Sequence, residues 1–349
     1  MIVKRTVLIF VLVLSPVLIF ANSNAGVLFL LIEPGSRPGA MGQAHVAAVD
    51  DGFAQFWNAG AMAFNRRQQL AMMHSAWLGD IFDDMYYEYL GWNRYYEELQ
   101  GNLGFNITFL TLGRHELIDS GGNKLGEFSA FDIAAGVTYA YQVSDRFGTG
   151  LAFKFIYSDL APEEQGNTGG KGRGMSYAFD FGMLYRNLLW LDGLNFGINL
   201  QNVGPNITYI NNDQSDPMPM NFRMGLSYKI FEDSMNRLIV TGDMNKLLAN
   251  DDFVLKRLIT AWYDDGGFMS KRERESTIFG GGAEYMYWNL LSLRAGWMYD
   301  KAGSIIGPSF GIGIQHTFQS RYRVFFDFAM QQGGELVNYN NTFSLGVEF

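Results

Sequence analysis

The chain has 349 residues and a formal net charge of −9, which excludes nucleic acid as a partner, because phosphate binding needs a basic footprint. Hydrophobic residues make up 48% of it, yet the mean hydropathy is only −0.03, so apolar residues are interleaved with polar ones rather than massed in spanning helices. It contains no Cys, which excludes a disulfide framework and any Cys-based metal site. The 41 Gly and 15% aromatics suit strands with one apolar and one wet face.

The first predicted element is a leader. Lys4 and Arg5 precede an apolar run from Thr6 to Phe20, broken only by Ser15 and Pro16, and small residues offer cleavage after Ala21 or Ala25. That is the pattern of a cleaved secretory signal peptide over residues 1–25. The run is shorter than the ~20 residues of a helical span, and Pro16 interrupts it.

Residues 26–67 are Gly- and Ala-rich, lack alternation, and are too apolar for a free linker. They read as a segment folded inward ahead of a barrel. Within them stand Pro34-Gly35-Ser36-Arg37, Met41-Gly42-Gln43-Ala44, Ala47, Asp50-Asp51 and Trp57-Asn58-Ala59-Gly60-Ala61-Met62-Ala63. In order and spacing this stretch resembles the opening of the PorV/PorQ family, relatives of the FadL-type channels. A family Pro is replaced by Ala59 and a family Gly by Ala40, and loss of the Pro should soften that turn. The resemblance implies a fourteen-stranded barrel with this segment in its lumen as a hatch, the Asn58 turn near the periplasmic end. Asn suits such a turn by bonding nearby backbone and tolerating left-handed geometry. Asp50 and Asp51 are expected to accept hydrogen bonds from backbone or from a lumenal Arg. These residues either only stabilise the plug or also gate it.

From residue 68 onward the chain alternates with period two. Leu103, Phe105, Ile107 and Phe109 oppose Asn102, Gly104, Asn106 and Thr108, and Tyr177, Phe179 and Phe181 oppose Ala178, Asp180 and Gly182. Helical spacing does not fit, and runs of roughly 10–14 residues match tilted membrane strands better than short soluble ones. Fourteen cores are predicted: 68–78, 84–92, 101–112, 128–142, 146–158, 173–187, 194–203, 219–231, 237–249, 276–289, 291–300, 305–318, 321–331 and 337–349. Long odd connections (113–127, 159–172, 204–218, 250–275) alternate with short even ones, as extracellular loops alternate with periplasmic turns. The second connection, 93–100, is longer than ideal. Tyr and Trp gather at run ends, as in an interfacial girdle, and the chain ends on an amphipathic strand with Phe349. The fold class is therefore an all-β transmembrane antiparallel barrel over 68–349, exported to the bacterial outer membrane.

Candidate chemistry is mostly discarded. Gly307-Pro308-Ser309-Phe310-Gly311 fits the nucleophile-elbow string but lies inside a strand, not a strand-to-helix turn. His45, His74, His115 and His316 have no paired metal spacing. Asp80, Asp83 and Asp84, and the loop from Asn212 to Asp216, read as solvated acidic loops. In the ninth connection Leu255, Leu258, Ile259 and Trp262 fall at helical spacing. A short amphipathic helix there can cap the mouth, lie at the lipid interface or face a partner, the cap needing no partner.

No enzyme, cofactor or metal is expected, and outer-membrane lipid is the first partner. The resemblance implies a type IX protein-secretion component that binds cargo proteins by their C-terminal signal domains and meets other secretion-system components. The alternative is FadL-like transport of long-chain fatty acids or other hydrophobic small molecules. That needs an apolar conduit, which inward Gly, Ala, Asn and Asp disfavour.

Overall fold

The computed structural model describes residues 25–79, 81–118, 121, 123–161, 172–209, 215–250, 252–263, 270, 274–319, 321–334, 337 and 339–349. The leader over 1–24, Asp80 and residues 212–214 lie outside them. The strands are β1 (Gln69–Ala76), β2 (Tyr86–Tyr96), β3 (Gly101–Ile118), β4 (Lys124–Gln142), β5 (Phe147–Asp159), β6 (Arg173–Tyr185), β7 (Leu194–Val203), β8 (Ile207–Thr208), β9 (Ser215–Asp216) and β10 (Asn221–Glu232). After them come β11 (Asn236–Leu247), β12 (Thr277–Tyr287), β13 (Leu291–Asp300), β14 (Ile305–Phe318), β15 (Tyr322–Gln332) and β16 (Tyr339–Glu348). All but β8 and β9 join into one closed antiparallel barrel of fourteen strands, sealed where β1 pairs with β16. The predicted fold class is therefore found.

Alternation sorts the strands as expected. In β6, Gly174, Ser176, Ala178, Asp180, Gly182 and Leu184 are buried toward the lumen, while Tyr177, Phe179 and Phe181 are exposed on the outside. A contiguous apolar exterior of this kind is a lipid-facing surface. Near the extracellular rim, Tyr86, Phe109, Phe131 and Tyr157 form a ladder across β2–β5, with ring centroids 6.2, 5.8 and 5.9 Å apart. Trp190 and Trp288 stand exposed in the turns at the opposite end. Both positions match an aromatic girdle.

Two connections differ from expectation. The second is only the turn 97–100, because β2 runs on through Arg94, Tyr95 and Tyr96. The third is mostly strand: after a bulge between Thr111 and Arg114, β3 and β4 continue as a hairpin beyond the apolar band. Its described residues are exposed or half-buried on both faces, so the period-two apolar signal disappears although the ladder persists.

Candidate functional site

Ahead of β1, residues 25–68 thread the lumen. Gly26 N–H donates to the Pro217 carbonyl (3.0 Å) in the seventh connection, at the extracellular mouth. At the other end Gln68 exchanges backbone hydrogen bonds with Phe349 (2.9 Å each), beside the start of β1. Between them lie short helical turns at Leu28–Leu31, Ser36–Ala40, Ala54–Trp57 and Ala59–Phe64.

The wall receives this segment with glycine. A Cβ on Gly182 would lie 2.6 Å from Ala59 N, one on Gly148 2.6 Å from Gly60 O, and one on Gly282 2.6 Å from the Met41 Cα. Real Cβ atoms do not approach backbone so closely, so inward glycines of β5, β6 and β12 let two backbones touch. The inward small residues are thus a seat, not an open channel.

Polar side chains fix the orientation. Asn58 caps the Ala59–Phe64 turn by accepting from Gly60 N–H (3.0 Å), and its amide donates to Val46 O (2.8 Å) and Met183 O (2.9 Å). It does so in extended geometry (φ −169°), the side chain bonding nearby backbone and so closing the turn itself. Met183 lies two residues before the periplasmic end of β6, so Asn58 sits near that end. Ala59 is fully buried against Gly150. Trp57 Nε1 donates to Pro34 O (2.7 Å), Gly35 N–H to Met73 Sδ (2.7 Å), and Gly42 N–H to Ser309 Oγ (3.0 Å). Ser309 in turn donates to Ala40 O (3.1 Å), so the serine of the elbow-like string is an anchor for the segment.

Arg37 is the centre of an ion network. It donates to Glu284 of β12 through Nε (2.8 Å) and Nη2 (3.0 Å), and to Asp50 through Nη1 (2.5 Å), with Asp51 at 3.8 Å. Glu284 also accepts from Arg294 (2.7 Å), which holds Asp327 (2.6 Å). The Arg that Asp50 meets belongs to the segment itself, and the link to the wall is Glu284. Burial pushes the Asp51 carboxyl up to about 6, against the pull of Arg37. Burial also opposes ionisation of Asp50, but Arg37, Arg323 and Arg237 hold its carboxyl well below the usual range. Glu33 pairs with Arg223 of β10, whose guanidinium lies 4.4 Å over Trp57, and burial pushes Glu33 up to about 7. Asp243 accepts from the amides of His45 (2.6 Å) and Val46 (2.8 Å).

The motif residues singled out in the sequence, among them Pro34, Gly35, Arg37, Met41, Gly42, Asp50, Asp51 and Trp57 to Gly60, lie along this inner surface. Sequence reasoning missed the partners that the wall offers this segment: Glu284 with its neighbour Arg294, Arg223, Asp243, Asn199, which donates to Phe56 O and Trp57 O (2.9 Å each), and Gln201, which donates to Phe56 O (2.7 Å). Each stands at an inward register position, and a charged or amide residue there was the available signal.

The ninth connection is placed differently from the cap reading. Its helix, Val254–Thr260, packs Leu258 and, just beyond it, Trp262 on a cluster of Met220, Leu248 and Ala261 shared with Leu200, Val203 and Phe222, which face outward near the rim of β7 and β10. Trp262 stands edge-on to Phe222, with ring centroids 5.9 Å apart. Leu255 and Ile259 remain exposed at 60% and 66%. The mouth is covered instead by the seventh connection, whose Ile207 and Met218 are fully buried in one cluster with Val27, Phe29 and Leu30. Arg257 ties the two connections together by donating to Asn206 Oδ1 (2.8 Å).

Comparisons with known proteins agree with this architecture. The Pseudomonas putida toluene transporter TodX superposes with a TM-score of 0.55 at 14% identity, over 90% of this chain and 97% of that one. The Ralstonia pickettii toluene transporter TbuX gives 0.56 at 12% identity over 90% and 97%. These likenesses show the fold alone, a barrel of the same build as those two transporters. No curated protein sequence matches. Residues 21–252 match the family model described as Type IX secretion system protein PorV, and that match covers well over half of the sequence. With a closed fourteen-stranded outer-membrane barrel and an N-terminal motif of that pattern, the chain belongs to the PorV family of type IX secretion system proteins.

Proposed function

We propose that this barrel serves type IX secretion from its extracellular surface, receiving cargo proteins by their C-terminal signal domains while the lumen stays sealed by residues 26–67. It is exported by a cleaved leader and carries out no catalysis. One observation carries the reading: the lumen is filled by a segment seated backbone-to-backbone on wall glycines and held by buried ion pairs. A conduit cannot share that space. Binding therefore falls to the outside, where the rim helix leaves Leu255 and Ile259 uncovered and the β3–β4 hairpin projects. Deleting the gene should leave cargo in the periplasm, and normal secretion in the deletion strain refutes the proposal.

A second reading, uptake of long-chain fatty acids or other hydrophobic solutes, has one supporting feature. An apolar recess of about 400 Å³ opens on the lipid-facing wall among Phe196, Met224, Leu226, Met244 and Phe279, reaching Gly280 beside Gly42. Loss of labelled fatty-acid uptake with secretion intact favours it.

A further inference from the structure

We propose that leader cleavage falls after Ala25, and that the α-ammonium created on Gly26 is a latch docking on Pro217 O and the Asp216 carboxylate at the extracellular mouth. The proposal rests on the export reading. Of the two exits, the one after Ala25 places Ser23 and Ala25 at the small-residue positions of the cleavage signal, whereas the one after Ala21 places Ile19 there.

The receiving site is built for a chain end that begins with glycine. Gly26 N–H already donates to Pro217 O at 3.0 Å. A Cβ on Gly26 would lie 2.8 Å from Ile207 Cγ2 and 3.0 Å from Asp216 Cβ, with Asp216 Oδ2 at 3.6 Å. Ile207 and Asp216 face each other across the β8–β9 hairpin, so the glycine rests on that pair. An internal amide has one proton to give, and Pro217 takes it. A terminal ammonium has three protons and a positive charge, enough to hold Pro217 and reach the carboxylate as well. Immediately downstream, Val27, Phe29 and Leu30 enter the cluster containing Ile207 and Met218. The latch therefore joins the start of the lumenal segment to the hairpin covering the mouth. Since the leader is removed on the periplasmic side, cleavage must precede this seating.

The test uses the mature protein purified from outer membranes in detergent. N-terminal sequencing should begin at Gly26. A pyridinecarboxaldehyde reagent selective for α-amines should label the folded barrel about ten-fold more slowly than the heat-denatured chain, the factor expected for one charge-assisted hydrogen bond. Asp216→Asn, checked for assembly by heat-modifiable gel mobility, should label about ten-fold faster than wild type. Should that variant not assemble, the folded-against-denatured comparison in wild type decides alone. A terminus at Asn22, or equal labelling of folded and denatured protein, overturns the latch. A retained leader overturns instead the cleaved-leader reading on which the latch rests.

Discussion

Consider Gly182→Ala. The new methyl carbon would stand 2.6 Å from Ala59 N, 2.6 Å from Asn58 Oδ1 and 2.8 Å from Gly60 N, where ordinary contact begins near 3.4 Å. Two of these atoms are backbone, and the third is fixed by its bond to Gly60, so no flexible tip can move aside. Overpacking of this kind costs about 1–3 kcal/mol. At 1.4 kcal/mol per decade that shifts the seated-to-unseated ratio roughly 5- to 140-fold. The outer wall is untouched, so the ring should persist while the lumenal segment loosens. Gly242→Ala and Gly281→Ala are the controls: both face outward with nothing nearer than 3.7 and 3.6 Å, and each should change stability by about 0.5 kcal/mol or less. Single-channel conductance in planar bilayers reads opening, and chymotrypsin cleavage at Phe53, Phe56 or Trp57 reads exposure of the segment. A Gly182→Ala barrel as closed and protease-resistant as wild type and both controls refutes the glycine-seat argument.

Further outcomes follow from the same contacts. Glu284→Ala should destabilise by about 3–5 kcal/mol, because it leaves Arg37 and Arg294 short of a buried partner; a Glu284→Ala/Arg37→Ala cycle followed by thermal gel shift should show coupling. Glu33 rises from 4.5 to about 7 in the folded chain, so its contribution is complete below about pH 4.5 and lost as pH rises through 7. Protease resistance should therefore fall between about pH 4.5 and 7 in wild type and level off above that, and Glu33→Gln should flatten that slope. Ser309→Ala should weaken the seat by about 1 kcal/mol per lost bond, measured as a lower gel-shift temperature, without removing any activity. Leu255→Asp with Ile259→Asp should leave the melting temperature unchanged, since both are exposed, and reduce secretion of cargo to the medium.

Much of the barrel was legible because period-two alternation survives wherever a strand has lipid on one side. The cores 194–203, 291–300 and 305–318 coincide with β7, β13 and β14. Reading failed where that asymmetry ends. His115, Glu116 and Leu117 pair with Phe128, Glu127 and Gly126 in water, and no face is apolar. The lumenal motif was visible as a string, but its seat was not, because Gly182 and Ala59 are 123 positions apart (182 less 59) and glycine has no side chain to pattern. The ninth connection misled for another reason. Its helical spacing was right, yet Leu258 and Trp262 turn to the wall while Leu255 and Ile259 turn away, and spacing alone cannot say which neighbour a stripe meets.

The threading of residues 25–68 constrains how the molecule is made. Ser36, close to the start, bonds to Ser344 in the last strand, across 308 positions. Contacts of such reach form late, after the entropy of closing the intervening loop has been met. A finished ring offers no side entrance to a folded insert held on so many strands. The seam between β1 and β16 therefore closes around the N-terminal segment, which acts as the mandrel on which the cylinder is wound.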